Sequence, residues 1–480
     1  MTQPMARTAA PIHEQIYARF RSMIEQGQLS PGQKVSSLRA LATELGVARG
    51  TVQVAYDRLL GEGYLVARGP AGTFVSEHTA PAKPAHAKKP PVAARPSPRA
   101  SARPSAPETV IDMEGGNPAP LQMGLPALDE FPRKLWARLM TRQARKVGSL
   151  NKPPPAGYMP LREALAACLH RSRGIDAHAA QVFIVPAYTA SLALIIDALG
   201  LAGESAWIEH PCYPPTAQTL KRMGLRVCNV PVDEHGVDVG FGRKQFTNAR
   251  LAVVTPSHQS PTGVALPLQR RVELLDWAGA HDAWIVEDDY DGEYRYRGHP
   301  LPALKSMDAC GRVIYCGTLS KSLFPGLRLS YVVVAPNLVP QFELACRRSV
   351  HGGCPELMQA VVADFIAEGH FSRHIKRMRT LYARRRALLA EALAPYAADG
   401  FVVHLQDGGM HLLVDVREDL DDVALASRAR ASGFAVHALT TWRNGSPGRR
   451  GLLMGFTNIS SQAEAQRLVT ELFRAFDLRR

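Results

Sequence analysis

Lys321 follows a small hydroxyl residue in the run Gly317-Thr318-Leu319-Ser320-Lys321-Ser322-Leu323-Phe324-Pro325-Gly326-Leu327-Arg328. A lysine amine can condense with an aldehyde cofactor to an imine, and Arg328, seven residues on, can hold that cofactor's phosphate. Asp288 lies 33 residues before Lys321, in Ile285-Val286-Glu287-Asp288-Asp289-Tyr290-Asp291, which reads as a buried strand ending in an acidic cluster with a tyrosine. Pyridoxal phosphate (PLP) requires such a set: lysine for the imine, aspartate for the pyridine nitrogen and tyrosine for the ring hydroxyl. The lysine must present a partly neutral amine, which a desolvated site near other cations favours.

The elements around these residues are short apolar runs separated mostly by helical stretches. Val182–Val185, Ser205–Ile208, Leu251–Val254, Trp284–Val286, Val313–Tyr315 and Tyr331–Val334 are near-continuously apolar. Strands of that kind are covered on both faces, so an α/β domain with a mostly parallel sheet is expected from about residue 109 to 480. From about residue 355 a smaller α+β subdomain is expected, opening with a long basic helix around Ile375–Leu393. The stretch Arg373–Arg386 reads as a solvated basic helix face, with contact to DNA or acidic partners as the alternative.

The first 75 residues have a different pattern. Ile12, Ile16, Phe20, Met23 and Ile24 recur at helical spacing before Gly27. Leu38, Leu41, Ala42 and Leu45 form a short stripe ending at Gly46, and Arg49–Leu60 forms a second helix after the turn. Helix, tight turn and helix make a helix-turn-helix, and Tyr64-Leu65-Val66 with Gly72-Thr73-Phe74-Val75 reads as a wing. Residues 76–108 hold eight prolines among Ala, Ser, Lys and Arg and read as a semi-extended linker.

The 480 residues suit one small domain plus a large one or two, and 46% hydrophobic content allows a sizeable core. Formal net charge is +14; the linker, with 6 Lys/Arg against 2 Asp/Glu, is the most basic part per residue. Such an excess favours a polyanionic partner. Seven cysteines without a C-x-x-C pair argue against a disulfide framework or zinc site and for reduced thiols in the cytoplasm, and no metal is expected. No window is apolar for long enough to span a membrane, and the N-terminus has no apolar signal core.

Residues 11–75 resemble the winged helix-turn-helix of GntR-type regulators through Ser37–Ala42, Leu45–Val52, Ala55-Tyr56, Leu59 and the wing. The resemblance implies double-stranded operator DNA as partner, met by Ser37, Arg39, Arg49 and Thr51. Ser36 stands where the family often has proline. The remainder resembles aminotransferases of PLP fold type I, and the tandem resembles the MocR subgroup of GntR regulators. By resemblance Lys321 is the imine lysine, Asp288 the pyridine-nitrogen partner and Tyr290 the ring-hydroxyl partner, while Arg328 and Ser320 grip the phosphate. Tyr188, Thr189 and Ala190 stand at the family's phosphate loop, Tyr213 at the pocket wall, and His258 and Ser260 in the cofactor-facing loop Val254–Gly263. Three departures stand out: Tyr188 for glycine, Lys152 for a tyrosine that reaches the neighbouring subunit's phosphate, and Asn458 for the arginine that binds a substrate carboxylate. The implied protein is a homodimeric transcription regulator that senses PLP or a small amino compound. The rival readings are a working aminotransferase tethered to a DNA module, and a regulator whose cofactor site has decayed.

Overall fold

The computed structural model of the chain describes residues 11–76, 118–146, 152–296, 302–348, 353–443 and 448–477. It divides into two compact units at Val110/Ile111. Beyond Ser76, the expected linker lies outside the described residues.

In the first unit, helices α1 (Ile12–Glu25), α2 (Leu38–Leu45) and α3 (Arg49–Gly61) precede a hairpin of β1 (Leu65–Ala67) and β2 (Thr73–Val75). The apolar stripes read from the sequence meet in one core, with Ile16, Leu41, Val52, Tyr56 and Leu59 buried. Ser37 caps α2, its Oγ accepting from Ala40 N at 3.2 Å. Gly46 ends that helix at φ 66°, a left-handed conformation that glycine adopts without a Cβ clash. The turn at Ser36, where a proline would stiffen the chain, is held instead by the Tyr56 hydroxyl donating to the Ser36 carbonyl at 2.9 Å.

In the second unit eight strands form one sheet: β3 (Val182–Val185), β4 (Ser205–His210), β5 (Arg226–Asp233), β6 (Gly236–Val237), β7 (Ala249–Val254), β8 (Trp284–Asp289), β9 (Val313–Thr318) and β10 (Ser330–Val333). Their order is β3-β10-β9-β8-β7-β4-β5-β6. The sheet is parallel from β9 to β5, but β10 runs antiparallel to both of its neighbours and β6 antiparallel to β5. The sequence did not reveal the direction of β10, because a fully buried strand reads the same either way. Separate buried clusters lie on the two faces of this sheet.

After the helices Glu356–Ala367 and His370–Leu393, an antiparallel sheet of β11 (Phe401–His404), β12 (His411–Val416), β13 (His437–Ala438) and β14 (Gly451–Gly455) forms in the order β11-β12-β14-β13. The long helix begins five residues before the apolar spacing alone placed it. Residues 119–127 form a strap along this subdomain. Gly455 N donates to Leu121 O at 2.7 Å, Ala435 N to Pro120 O at 2.9 Å, and Ala127 N to the Tyr382 hydroxyl at 2.9 Å.

Candidate cofactor and DNA sites

The residues singled out in the large unit follow the carboxyl ends of parallel strands, where α/β sheets bind ligands. Tyr188 opens a helix just after β3, Tyr213 follows β4, His258 and Ser260 follow β7, Asp288 lies near the end of β8 with Tyr290 just beyond it, and Lys321 comes three residues after β9. Strand alternation sorts the acidic cluster. Glu287 and Asp289 face one side: Glu287 accepts from Leu304 N and Lys305 N, both at 2.8 Å, and Asp289 meets Arg173 at 2.6 Å and the Tyr315 hydroxyl at 2.6 Å. Asp288 faces the other side, where the Tyr188 hydroxyl lies near it. Asp289 is therefore half of a buried structural ion pair, while Asp288 is presented to the crevice.

Burial raises the Asp288 carboxyl well above the ordinary range, and the nearby Asp289, Glu209 and Asp291 push it further. Its charged form is disfavoured until a cation lies beside it, which is what a protonated pyridine nitrogen supplies. Tyr290 is half-buried and its phenol is raised, chiefly by desolvation. Its hydroxyl lies 2.9 Å from His258 Nδ1, with Ser260 nearby. Asp291 Oδ2 approaches the same imidazole nitrogen at 3.2 Å, so His258 bridges two residues of the β8 end. His258 is buried against this cluster, with the His411 ring 5.5 Å away.

Lys321 Nζ donates to the Gly124 carbonyl at 2.9 Å. Gly124 has φ 65°, and a Cβ there would stand 2.3 Å from that nitrogen, so the strap comes as close to the lysine as a backbone can. The Tyr294 hydroxyl donates to the Lys321 carbonyl at 3.2 Å and anchors the loop. His411 feels the charge of both His258 and Lys321, which places the lysine and the β7 loop around one subdomain residue. Arg328 is exposed at the far end of the loop with φ 50° and ψ 45°; Ser320 is half-buried.

The helix Tyr188–Leu199 starts at Ala187 without a side-chain cap. The first N–H groups of a helix have no intrahelical acceptor and favour phosphate. Backbone groups of Tyr188, Thr189 and Ala190 thus suit a phosphate despite the missing glycine. The Tyr188 side chain turns away to Thr216, 3.2 Å from its Oγ1, and to Asp288. Its ring begins an aromatic series: Tyr188 to Tyr213 at 6.3 Å and Tyr213 to Trp442 at 5.8 Å between centroids. The donor set fits PLP. Lys152 is exposed.

Asn458 is also exposed, and its amide donates to the Leu125 carbonyl at 3.2 Å, tying down the strap. The strap, Glu209, Trp442 and the Asp291–His258 contact were not legible beforehand; nothing in Gln122-Met123-Gly124-Leu125 distinguishes it from any other loop.

Glu209, at the end of β4, is buried and accepts from Thr255 N, Thr255 Oγ1 and Gln259 Nε2. Burial raises its carboxyl to about 7 in spite of those bonds. A carboxyl that binds its proton more tightly when folded loses stability as pH rises from its unfolded value, near 4.5, to about 7. His411, lowered to about 4 by burial, works in the opposite direction between about 4 and 6.5, so the wild-type profile mixes the two. Glu209→Gln isolates the carboxyl. Its unfolding free energy relative to wild type should improve by roughly 3 kcal/mol between pH 4.5 and pH 8. Denaturant titrations at the two pH values measure this, and a pH-independent difference would contradict it.

In the first unit Arg39 and Arg49 are exposed and Thr51 is half-buried. Arg49 is the first residue of α3, whose start has no side-chain cap. Val54 is 52% exposed on the same helix, an apolar side chain that periodicity had not marked. Ser37 has its hydroxyl engaged in the α2 cap.

Residues 12–75 match the model of the bacterial regulatory proteins of the gntR family, and residues 126–444 that of class I and II aminotransferases. The fold is therefore a GntR helix-turn-helix followed by an aminotransferase-like domain of PLP fold type I. The chain is 35% identical to the probable rhizopine catabolism regulatory protein MocR of Rhizobium meliloti, over 94% of this chain and 90% of that one. It is 32% identical to the pyridoxine biosynthesis transcriptional regulator PdxR of Corynebacterium glutamicum, over 93% and 92%. Among solved structures, a kynurenine aminotransferase of Pyrococcus horikoshii superposes with a TM-score of 0.68 at 26% identity, over 79% of this chain and 96% of that one. The chain belongs to the MocR-type branch of the GntR family and is a transcriptional regulator of that type. Among the described residues no helix is long and apolar enough to cross a membrane.

Proposed function

We propose that the protein binds a specific operator through the α2–α3 module and PLP through the crevice of the large unit, and that PLP or an amine reacting with it sets the affinity for DNA. The convergence of Lys321, Asp288, Tyr290 and the open helix start at Tyr188 on the ends of β9, β8 and β3, in a chain that begins with a GntR module, carries this reading. Bound PLP supplies a reactive aldehyde on an electron-withdrawing ring.

The side chains divide the work. Lys321 anchors the aldehyde carbon and is held ready by the Gly124 carbonyl. Asp288 pairs with the ring nitrogen, and Tyr290, oriented by His258, faces the ring oxygen. Thr189 and Ala190 N–H groups, Ser320 and Arg328 take the phosphate, and Tyr213 walls the pocket. The chain acts as a homodimer, as two operator half-sites require of a helix-turn-helix protein. The relatives' names tie one to rhizopine catabolism and another to pyridoxine biosynthesis, so a small amine or the cofactor itself is the class of effector.

DNA reading is tested by Arg49→Ala. A base-edge contact by Arg49 costs roughly 1–3 kcal/mol when removed and blurs one operator position. Anisotropy titration on the operator and on single-base variants measures both effects. Unchanged affinity and unchanged preference would reduce Arg49 to a solvated charge.

A further inference from the structure

We infer that the aminotransferase-like domain carries a second DNA-contacting surface, on the outer faces of the helices Arg133–Ala144 and His370–Leu393. The inference rests on the reading that the full chain binds operator DNA, and it concerns phosphate contacts outside the GntR module.

The two helices pack round one aromatic cluster. Trp136 and His374 both lie against Phe365, and Phe131, just before the first helix, meets His374. Both are thereby held to the helix Glu356–Ala367, which carries Phe365. The helix Arg133–Ala144 contains no acidic residue, and His370–Leu393 contains one, Glu391. The acids that flank them are already neutralised. Asp364 and Glu368 pair with Arg142, Glu130 with Arg377, and Asp129 with Arg385. Lys134, Arg138, Arg145, Lys376 and Arg384 remain, all exposed and none in an ion pair among the described residues.

The occupant follows from charge and from what the face lacks. At 1.5 Å per residue, Lys134 to Arg145 spans about 16 Å and Lys376 to Arg384 about 12 Å. Duplex DNA carries one negative charge per roughly 1.7 Å, so such a face meets several phosphates at once. Among the described residues, the exposed large apolar side chains (Val54, Met159, Leu268 and Leu405 among them) all lie elsewhere. A protein partner would need apolar or aromatic anchors at the centre of its footprint, whereas a phosphate backbone needs none.

The test uses the full chain with Lys134→Gln, Arg138→Gln, Lys376→Gln and Arg384→Gln combined, on operator DNA with extended flanks, between 50 and 300 mM salt. Expected are an affinity roughly tenfold or more weaker at 0.15 M salt, the same factor on unrelated flanking sequences, and a log–log salt slope shallower by about 2 to 4. Should the fourfold variant fold poorly by circular dichroism, Lys376→Gln with Arg384→Gln alone should lower the slope by about 1 to 2. Affinity and slope equal to wild type, with Arg49→Ala still weakening operator binding, would overturn the inference and leave this face to an acidic protein. Wild-type chain without operator affinity would overturn the parent reading and this one with it.

Discussion

Lys321→Ala is expected to carry no phosphopyridoxyl group after borohydride reduction of PLP-saturated protein, whereas the wild type carries it on the peptide containing Lys321. Lysines are mostly exposed charges, but Lys321 stands at the end of β9 with its amine against the Gly124 carbonyl and its own carbonyl bonded by Tyr294. Asp288 lies near the end of the adjacent parallel strand with Tyr290 just beyond it, and Asp289 is opposite Gly317 in register. Non-specific surface labelling would survive the substitution and spread over many peptides. Peptide mass spectrometry separates the outcomes, and an unmodified Lys321 in saturated wild-type protein would sink the assignment.

The second large effect is an absence of turnover. A transaminase must neutralise its substrate's carboxylate in a dry pocket, where an unpaired charge costs several kcal/mol. Asn458 brings no charge, and its amide is engaged with the strap carbonyl of Leu125. Arg449 is committed to both oxygens of Asp415 at 2.5 and 2.9 Å, and Arg450 to the carbonyls of Glu418 and Leu420 at 2.7 and 2.8 Å. Arg443 differs, since it follows Trp442 and its charge reaches His210 at the end of β4. Steady-state transamination of common amino acids with 2-oxo acids should be negligible. Sustained turnover at roughly 1 per second or faster would promote the enzyme reading. Its loss in Arg443→Ala would then assign the carboxylate contact.

Much of this architecture was legible because periodicity and burial coincide. The stripes of α1 to α3 and the apolar run Val182–Val185 appear where the sequence placed them. The cofactor residues were legible because their spacing is local to two strand ends. What stayed hidden is long-range. Gly124 meets Lys321 across 197 residues, and His411 donates to Pro261 across 150. Ser36 and Tyr188 looked like weaknesses when read one position at a time. In the fold, the Tyr56 hydroxyl holds the turn at Ser36, and the Tyr188 hydroxyl lies against Thr216 and near Asp288.

The proposed function requires linkage between the crevice and the DNA module. The affinity of full-length wild-type protein for its operator, measured with and without saturating PLP and repeated with Lys321→Ala, tests this most directly. Linkage predicts a PLP-dependent change of about fivefold or more in the wild type and none in the variant. Identical operator affinity with and without PLP, in wild-type protein that has demonstrably bound the cofactor, would contradict it.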